Sequence, residues 1–358
     1  MNLDHLPEIK KLDSGNMLGS IEQLSEQIKQ VAKIGATFKL PATYKKCNKI
    51  LVLGMGGSAL GAQFVKSVYA KNFKLPIEII NDYHLPAWVD KNTLVICSSY
   101  SGTTEEVLSA VLEAKKAATK IVGLTTGGAL AEFLKKNKLP CLVFDPKYNF
   151  CGSPRMGLGY AIAGLLVLLS KIGLIKSIEK DLAALARTIT NYNNTFQATH
   201  AESANGAKML ARQIMGKSVM VVGAEHLSGS THIFANQINE NAKCFAGYFL
   251  LPELNHHLLE GTLNPKSIQK DLIFLFLESD LYDQRVRSRI AVTKKLLDKH
   301  GLDHVYYSGT GNDRLSEAAE VLTLSSYVTF YLAMLSEINP TPVPFVDFLK
   351  AELKKVVK

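Results

Sequence analysis

From residue 49 onward the chain alternates short apolar runs with stretches of helical periodicity. KILVL at 49–53, IEII at 77–80, TLVICS at 93–98, KIVGL at 120–124 and PCLVF at 140–144 are compact, rich in β-branched residues and separated by polar or glycine-containing segments. Continuous runs of this kind predict strands buried on both faces. The helical patterns between them, over 61–69, 104–118 and 130–136, complete a series of βαβ units around a parallel sheet. A second series follows a helical middle. KSVMVV at 217–222, LIFLFL at 272–277 and HVYYS at 304–308 predict strands, with helices over 232–241, 284–299 and 315–338. Pro340, Pro342 and Pro344 stop the long helix, and a last helix is predicted over 345–355.

This pattern predicts an α/β protein of two domains, each a mostly parallel sheet flanked by helices. The expected organisation is a first domain over 1–155 with a leading helical segment, a helical connection over 156–200, and a second domain over 201–358. Each domain is large enough to bury its own core. The apolar segment 157–175 resembles a membrane span, but Ser170 and Lys171 interrupt it. Only a core-helix length precedes them, so a buried helix is expected.

Composition narrows the classes further. The net charge is +9, yet the basic residues are scattered, with no run beyond pairs such as Lys45 and Lys46 and no arginine cluster interleaved with aromatics. A nucleic-acid stripe is therefore not expected, and attraction to small anions accounts for the surplus. The five cysteines, Cys47, Cys97, Cys141, Cys151 and Cys244, form no CxxC pair and no zinc spacing. An odd set without a framework fits a reducing compartment. The N-terminus, MNLDHLPEIKKLD, lacks the apolar core of a signal peptide, so a cytoplasmic location is expected.

Two strand-to-helix junctions carry candidate chemistry. After the first strand comes Gly54-Met55-Gly56-Gly57-Ser58-Ala59, where glycines let backbone amides approach an anion. The loop nearly meets the GxGxxG dinucleotide fingerprint, and Asp82, after the second strand, keeps a nicotinamide enzyme open as a rival. After the third strand comes Ser98-Ser99-Tyr100-Ser101-Gly102-Thr103-Thr104-Glu105-Glu106. Thr103 and Glu106 have capping-box spacing, which predicts a helix start there. Ser99, Ser101 and Thr104 would then surround free helix amides with hydroxyls, an arrangement suited to a phosphate dianion.

GMGGS after one strand with SSYSGTTEE after another resembles the SIS domain, a sugar-phosphate-binding module. Gly152-Ser153-Pro154-Arg155, the stretch from Asn239 to Lys243, the stretch from Glu253 to His257 and the terminal PTPV…FLK together resemble the bifunctional phosphoglucose/phosphomannose isomerase family. Two positions depart from its usual pattern, Ala59 for a glycine and Thr103 for an asparagine. The resemblance implies two SIS domains and aldose–ketose isomerisation of glucose 6-phosphate, with mannose 6-phosphate as a second substrate. It implies ring opening, a cis-enediol intermediate, and no metal, cofactor, nucleic acid or membrane. Gly56, Gly57, Ser58, Ser99, Ser101 and Thr104 would hold the phosphate. Glu240 would be the base at C1/C2, with Glu253 its competitor, and Arg155 would stabilise the enediolate. His256 and Lys350 would open the ring, His257 being the complication beside His256. In related isomerases that histidine crosses from the partner subunit, which implies a homodimer. Thr341, a small hydroxyl residue, would leave room for either C2 epimer. A non-catalytic sugar-phosphate-binding SIS regulator remains the principal alternative.

Overall fold

The computed structural model describes residues 1–356. Strands β1 (Lys49–Leu53), β2 (Ile77–Ile80), β3 (Thr93–Ser98), β4 (Lys120–Thr125) and β5 (Cys141–Val143) pair in parallel in the order β2-β1-β3-β4-β5. Strands β6 (Ser218–Ala224), β7 (Ala246–Leu251), β8 (Leu272–Glu278) and β9 (Asp303–Ser308) form a second parallel sheet in the order β7-β6-β8-β9. The pleat explains why the central strands read as unbroken apolar runs. Leu51, Leu53, Val95 and Cys97 face a small core under the helices Glu105–Lys116 and Gly128–Lys136. Their alternates Ile50, Val52, Leu94 and Ile96 face the main core. Both faces are covered, so both residue sets are apolar.

The main core is continuous between the sheets. Helices Leu24–Thr37, Gly57–Val68, Leu158–Lys171 and Ile178–Phe196 pack on the first sheet's side, and Ser228–Ala242 and Arg314–Leu335 on the second's. Leu158–Lys171 is the core helix expected from the apolar middle segment. Arg314–Leu335, with 22 residues, is long and apolar enough to cross a membrane, but its apolar window is wholly buried among the other helices. Buried on every side, it needs no polar stripe. Gly229 permits a close approach between the halves: a Cβ there would collide with the backbone of Gln63 on the helix Gly57–Val68.

The sequence pattern predicts eight of the nine strands. β7 is missing from it because AGYFLL opens on small residues and lies half-buried at a sheet edge, without a β-branched run. Asn239 compensates by clamping its first residue, donating to the Ala246 carbonyl at 2.8 Å and accepting from its amide at 3.1 Å. In each sheet the first strand lies between the second and third, so the strand order reverses between β1 and β3 and between β6 and β8. Crevices outside the carboxyl ends of such strands are where this architecture places ligands.

Candidate active site

The first crevice is built by the glycine and hydroxyl loops, which are tied to each other. The Tyr100 amide donates to Ser58 Oγ at 2.9 Å, and Ser98 Oγ donates to the Ser58 carbonyl at 3.0 Å. Ser99 is buried; its Oγ accepts from the Gly102 amide and lies 2.8 Å from Thr104 Oγ1. Ser101 pairs with Thr103 at 2.9 Å. The predicted capping box does not form. The helix begins at Glu105 behind Thr104, whose hydroxyl is held by Ser99, while Thr103 turns to Ser101. No side chain caps the first turn, so its amides and positive end are left to face an anion. The helix Gly57–Val68 likewise starts behind Gly56 with no side-chain cap.

Gly57 has to be glycine for a second reason. A Cβ there would lie 2.7 Å from the backbone nitrogen of Arg155, so the cradle and the Arg155 turn share a wall. Arg155 sits in the short turn Pro154–Met156 and is 2% exposed. Its Nε donates to Asn241 Oδ1 at 2.6 Å, and one terminal nitrogen donates to the carbonyls of Pro340 and Thr341, each at 2.9 Å. The other terminal nitrogen reaches Glu240 Oε2 at 3.4 Å. Burial lowers the Arg155 pKa, but a guanidinium so held stays charged.

Glu240 lies in the last turn of the helix Ser228–Ala242, among the polar residues Gln237, Asn239 and Asn241. Burial raises its carboxyl above the ordinary value of 4.5, opposed by the nearby charges of Arg155, Lys243 and Lys350. Its side chain is nevertheless 33% exposed, so a ligand can reach it. A carboxylate that is partly desolvated, accessible and beside a fixed cation is equipped to take and return a proton. Glu253, the competitor, is 78% exposed and faces His257 at 4.0 Å, outside this cluster.

Two residues of this cluster escape the sequence reading. Asn241, fully buried, orients Arg155 and is itself held by Thr329 at 3.0 Å. Lys243 closes the helix in the left-handed region and donates to the carbonyls of Glu240 and Pro340, each at 2.8 Å. Burial, then the charge of Arg155, pulls its ammonium down to about 8. The NENAK stretch is the available signal for both residues, but only its glutamate has an obvious chemical role.

The remaining candidates are placed differently. Thr341 reaches the cluster through its carbonyl; its hydroxyl is buried without a partner, and the side chain packs against Gly15. Lys350 is on the terminal helix Pro344–Val356, near enough for its charge to act on Glu240. His256 is exposed at the end of the turn Glu253–His256 and, among the described residues, shares no hydrogen bond or ion pair with Glu240, Arg155 or Lys350. His257 packs near Phe249, with ring centroids 6.1 Å apart, which leaves His256 the freer of the two. Asp82 accepts from the Tyr83 amide in its own loop at 2.6 Å. Among the described residues no group of three or more His, Cys, Asp or Glu could hold a metal.

Comparison with known proteins identifies the family and the fold. Residues 203–353 match the family described as the bacterial phospho-glucose isomerase C-terminal SIS domain, and residues 43–136 match the SIS domain. The chain is 34% identical over 346 residues to a bifunctional phosphoglucose/phosphomannose isomerase of Caldicellulosiruptor bescii, covering 95% of this chain and 99% of that one. It is 31% identical to the protein of the same name from Aquifex aeolicus, over 86% of this chain and 90% of that one. Among solved structures, a hypothetical protein of Thermus thermophilus superposes with a TM-score of 0.76 at 18% identity, covering 98% of this chain and 94% of that one.

Proposed function

The chain belongs to the bifunctional phosphoglucose/phosphomannose isomerase family, and from that premise we propose that it interconverts glucose 6-phosphate and mannose 6-phosphate with fructose 6-phosphate. The observation that carries this reading is Glu240, a partly desolvated carboxylate 3.4 Å from the buried Arg155, whose backbone packs against Gly57 of the glycine loop.

In this mechanism Ser99, Ser101, Thr104 and Ser58, with the amides around Gly56 and Gly57, hold the phosphate at the helix ends. His256 and Lys350 move the proton between the C1 hydroxyl and the ring oxygen, opening the ring. Glu240 takes the proton from C2, giving a cis-enediolate; the O2 proton passes to O1 through the enediol, and Glu240 returns its proton to C1 to give the ketose. Arg155 faces the negative charge that develops on the enediolate oxygens and, held by four partners, needs little reorganisation to do so. Thr341 turns its carbonyl to Arg155 and its side chain to Gly15, so the room for either C2 epimer expected of its small hydroxyl side chain is not supplied by that side chain. No step of this scheme is routed through a metal or a nucleotide. Fructose 6-phosphate should therefore form from glucose 6-phosphate in EDTA with no nucleotide added. Its absence from protein that still binds sugar phosphate would leave the regulator reading, and activity on glucose 6-phosphate alone would remove the second substrate.

The phosphate contacts act equally on ground and transition states, so their loss removes uniform binding. Ser99→Ala with Ser101→Ala should raise KM far more than it lowers kcat. Unchanged affinity for the non-reactive 6-phosphogluconate would refute the cradle.

The proposal includes a homodimer. The terminal helix buries none of its side chains and exposes Phe345 by 83% and Phe348 by 67%, an apolar face that a second copy would cover. Lys350 lies on that helix, and His256 is exposed with no hydrogen bond or ion pair among the described residues, which supports donation of His256 from the partner. The five free cysteines support a reducing compartment, and we assign the enzyme to the cytoplasm.

A further inference from the structure

The second sheet has its own reversal point, between β6 and β8, and a cleft of about 830 Å³ opens beside it. Glu225, His226 and Ser228, which follow β6, form one wall; Asp283, Arg285 and Arg289, which follow β8, form another. The first domain closes the cleft with Gln63, Lys66 and Lys71, and Arg314 completes it. Neither Glu240 and Arg155 nor the residues of the phosphate cradle line this cleft. The helix Gly57–Val68 borders both cradle and cleft, but Gly57 and Lys66 are about 13 Å apart along its axis.

Three observations from different elements converge here. Lys66, Lys71, Arg285, Arg289 and Arg314 line the cleft against only two carboxylates, Glu225 and Asp283. Both carboxylates are already engaged: Glu225 lies 3.4 Å from Arg314 and 4.0 Å from Lys71, and Asp283 holds Arg285 at 3.0 Å. Among the described residues, Lys66 and Arg289 have no carboxylate within ion-pair reach. His226, 1% exposed, engages the buried Glu317 through Nε2 at 2.5 Å, while its Nδ1 is buried with no partner, a rare state for a polar atom. The helix Ser228–Ala242 also begins at this cleft with no side-chain cap.

We infer that this cleft binds a small polyanion, a phosphate ester bearing at least two phosphoryl groups. The volume lies within the range of small-molecule sites. The contrast with the first crevice sets the charge of the ligand. There, hydroxyls and amides suffice for one phosphate, whereas here five lysine and arginine side chains from two domains outnumber two carboxylates, an arrangement suited to a multiply charged ligand.

The test uses the full-length protein with Ser99→Ala and Ser101→Ala, so that the active site contributes little anion binding. Calorimetric titration with inorganic pyrophosphate and with fructose 1,6-bisphosphate should still reveal one site per chain that weakens as salt rises. Adding Lys66→Glu and Lys71→Glu, both on exposed side chains, should weaken it by about tenfold or more, as expected for loss of charged contacts. In an otherwise wild-type chain the same two substitutions should leave KM for fructose 6-phosphate unchanged, which separates loss of the site from loss of the fold. No binding to the cradle-deficient protein, or equal binding after charge reversal, would overturn the inference.

Discussion

Glu240→Gln is expected to lose roughly 10²–10⁴-fold in kcat while binding fructose 6-phosphate almost as wild type, the range for removing a positioned general base. Glutamine keeps the size of the side chain and can still meet Arg155, so the phosphate cradle and the Arg155 clamp should persist. Ring opening is assigned to other residues. The variant should therefore convert cyclic sugar phosphate to its open chain yet fail to exchange the C2 hydrogen with solvent deuterium, which NMR reads directly. Exchange at the wild-type rate would move the base elsewhere, with Glu253 the first place to look.

The same residue sets the pH behaviour. Burial raises the Glu240 carboxyl, and only its ionised form can accept the C2 proton. The acid limb of kcat/KM should thus lie above the ordinary glutamate value of 4.5 and disappear in Glu240→Gln. Lys243, at about 8, loses its charge next to Glu240 on the alkaline side, and the falling limb should appear there. Stability runs the other way from activity at acid pH. Because the folded-state pKa of Glu240 is raised, its contribution to stability is complete below 4.5 and is lost as pH rises through the folded value. Urea midpoints of the wild type should accordingly fall relative to Glu240→Gln over that window.

What the sequence reveals depends on whether the signal is local. The hydroxyl loop is legible because strand, turn and helix follow one another within a short stretch, and their chemistry is dense. Even there, the capping box is a false signal, since hydroxyls in one loop can satisfy each other instead of the helix. Helix starts at Gly57 and Ser228 lie ahead of the predicted ones because Gly-Gly-Ser and Ser-Gly-Ser read as loop, while close packing of Gly57 on the Pro154–Arg155 turn and of Gly229 on the Gln63 backbone accompanies the helical conformation. The environment of Arg155 is not readable at all. Asn241 and the carbonyls of Pro340 and Thr341 reach it across long sequence separations, and nothing in their own segments announces that contact. The basic cleft is hidden for the same reason, because its cations come from separate segments that look like the scattered charge of any surface.

The second large effect tests the assembly. His256→Ala should be nearly inactive by itself if ring opening depends on that imidazole, and Glu240→Gln nearly inactive for the reason above. Suppose a two-fold dimer in which each site takes Glu240 from one subunit and His256 from the other. A hybrid of the two variants then holds one site with both defects and one with neither. Random mixing makes about half the dimers hybrids, so co-expression should restore about a quarter of wild-type activity from two almost inactive parents. If instead both residues of a site came from one chain, no hybrid would contain an intact site, and activity would remain at the parental level. Hybrid formation is checked independently by placing different affinity tags on the two variants. The apolar residues Phe345 and Phe348 add a second arm. If their helix is covered by the partner, Phe345→Glu with Phe348→Glu should shift the protein toward monomer in analytical ultracentrifugation and abolish the complementation. A tagged hybrid with no activity above its parents would reject the crossed-subunit site.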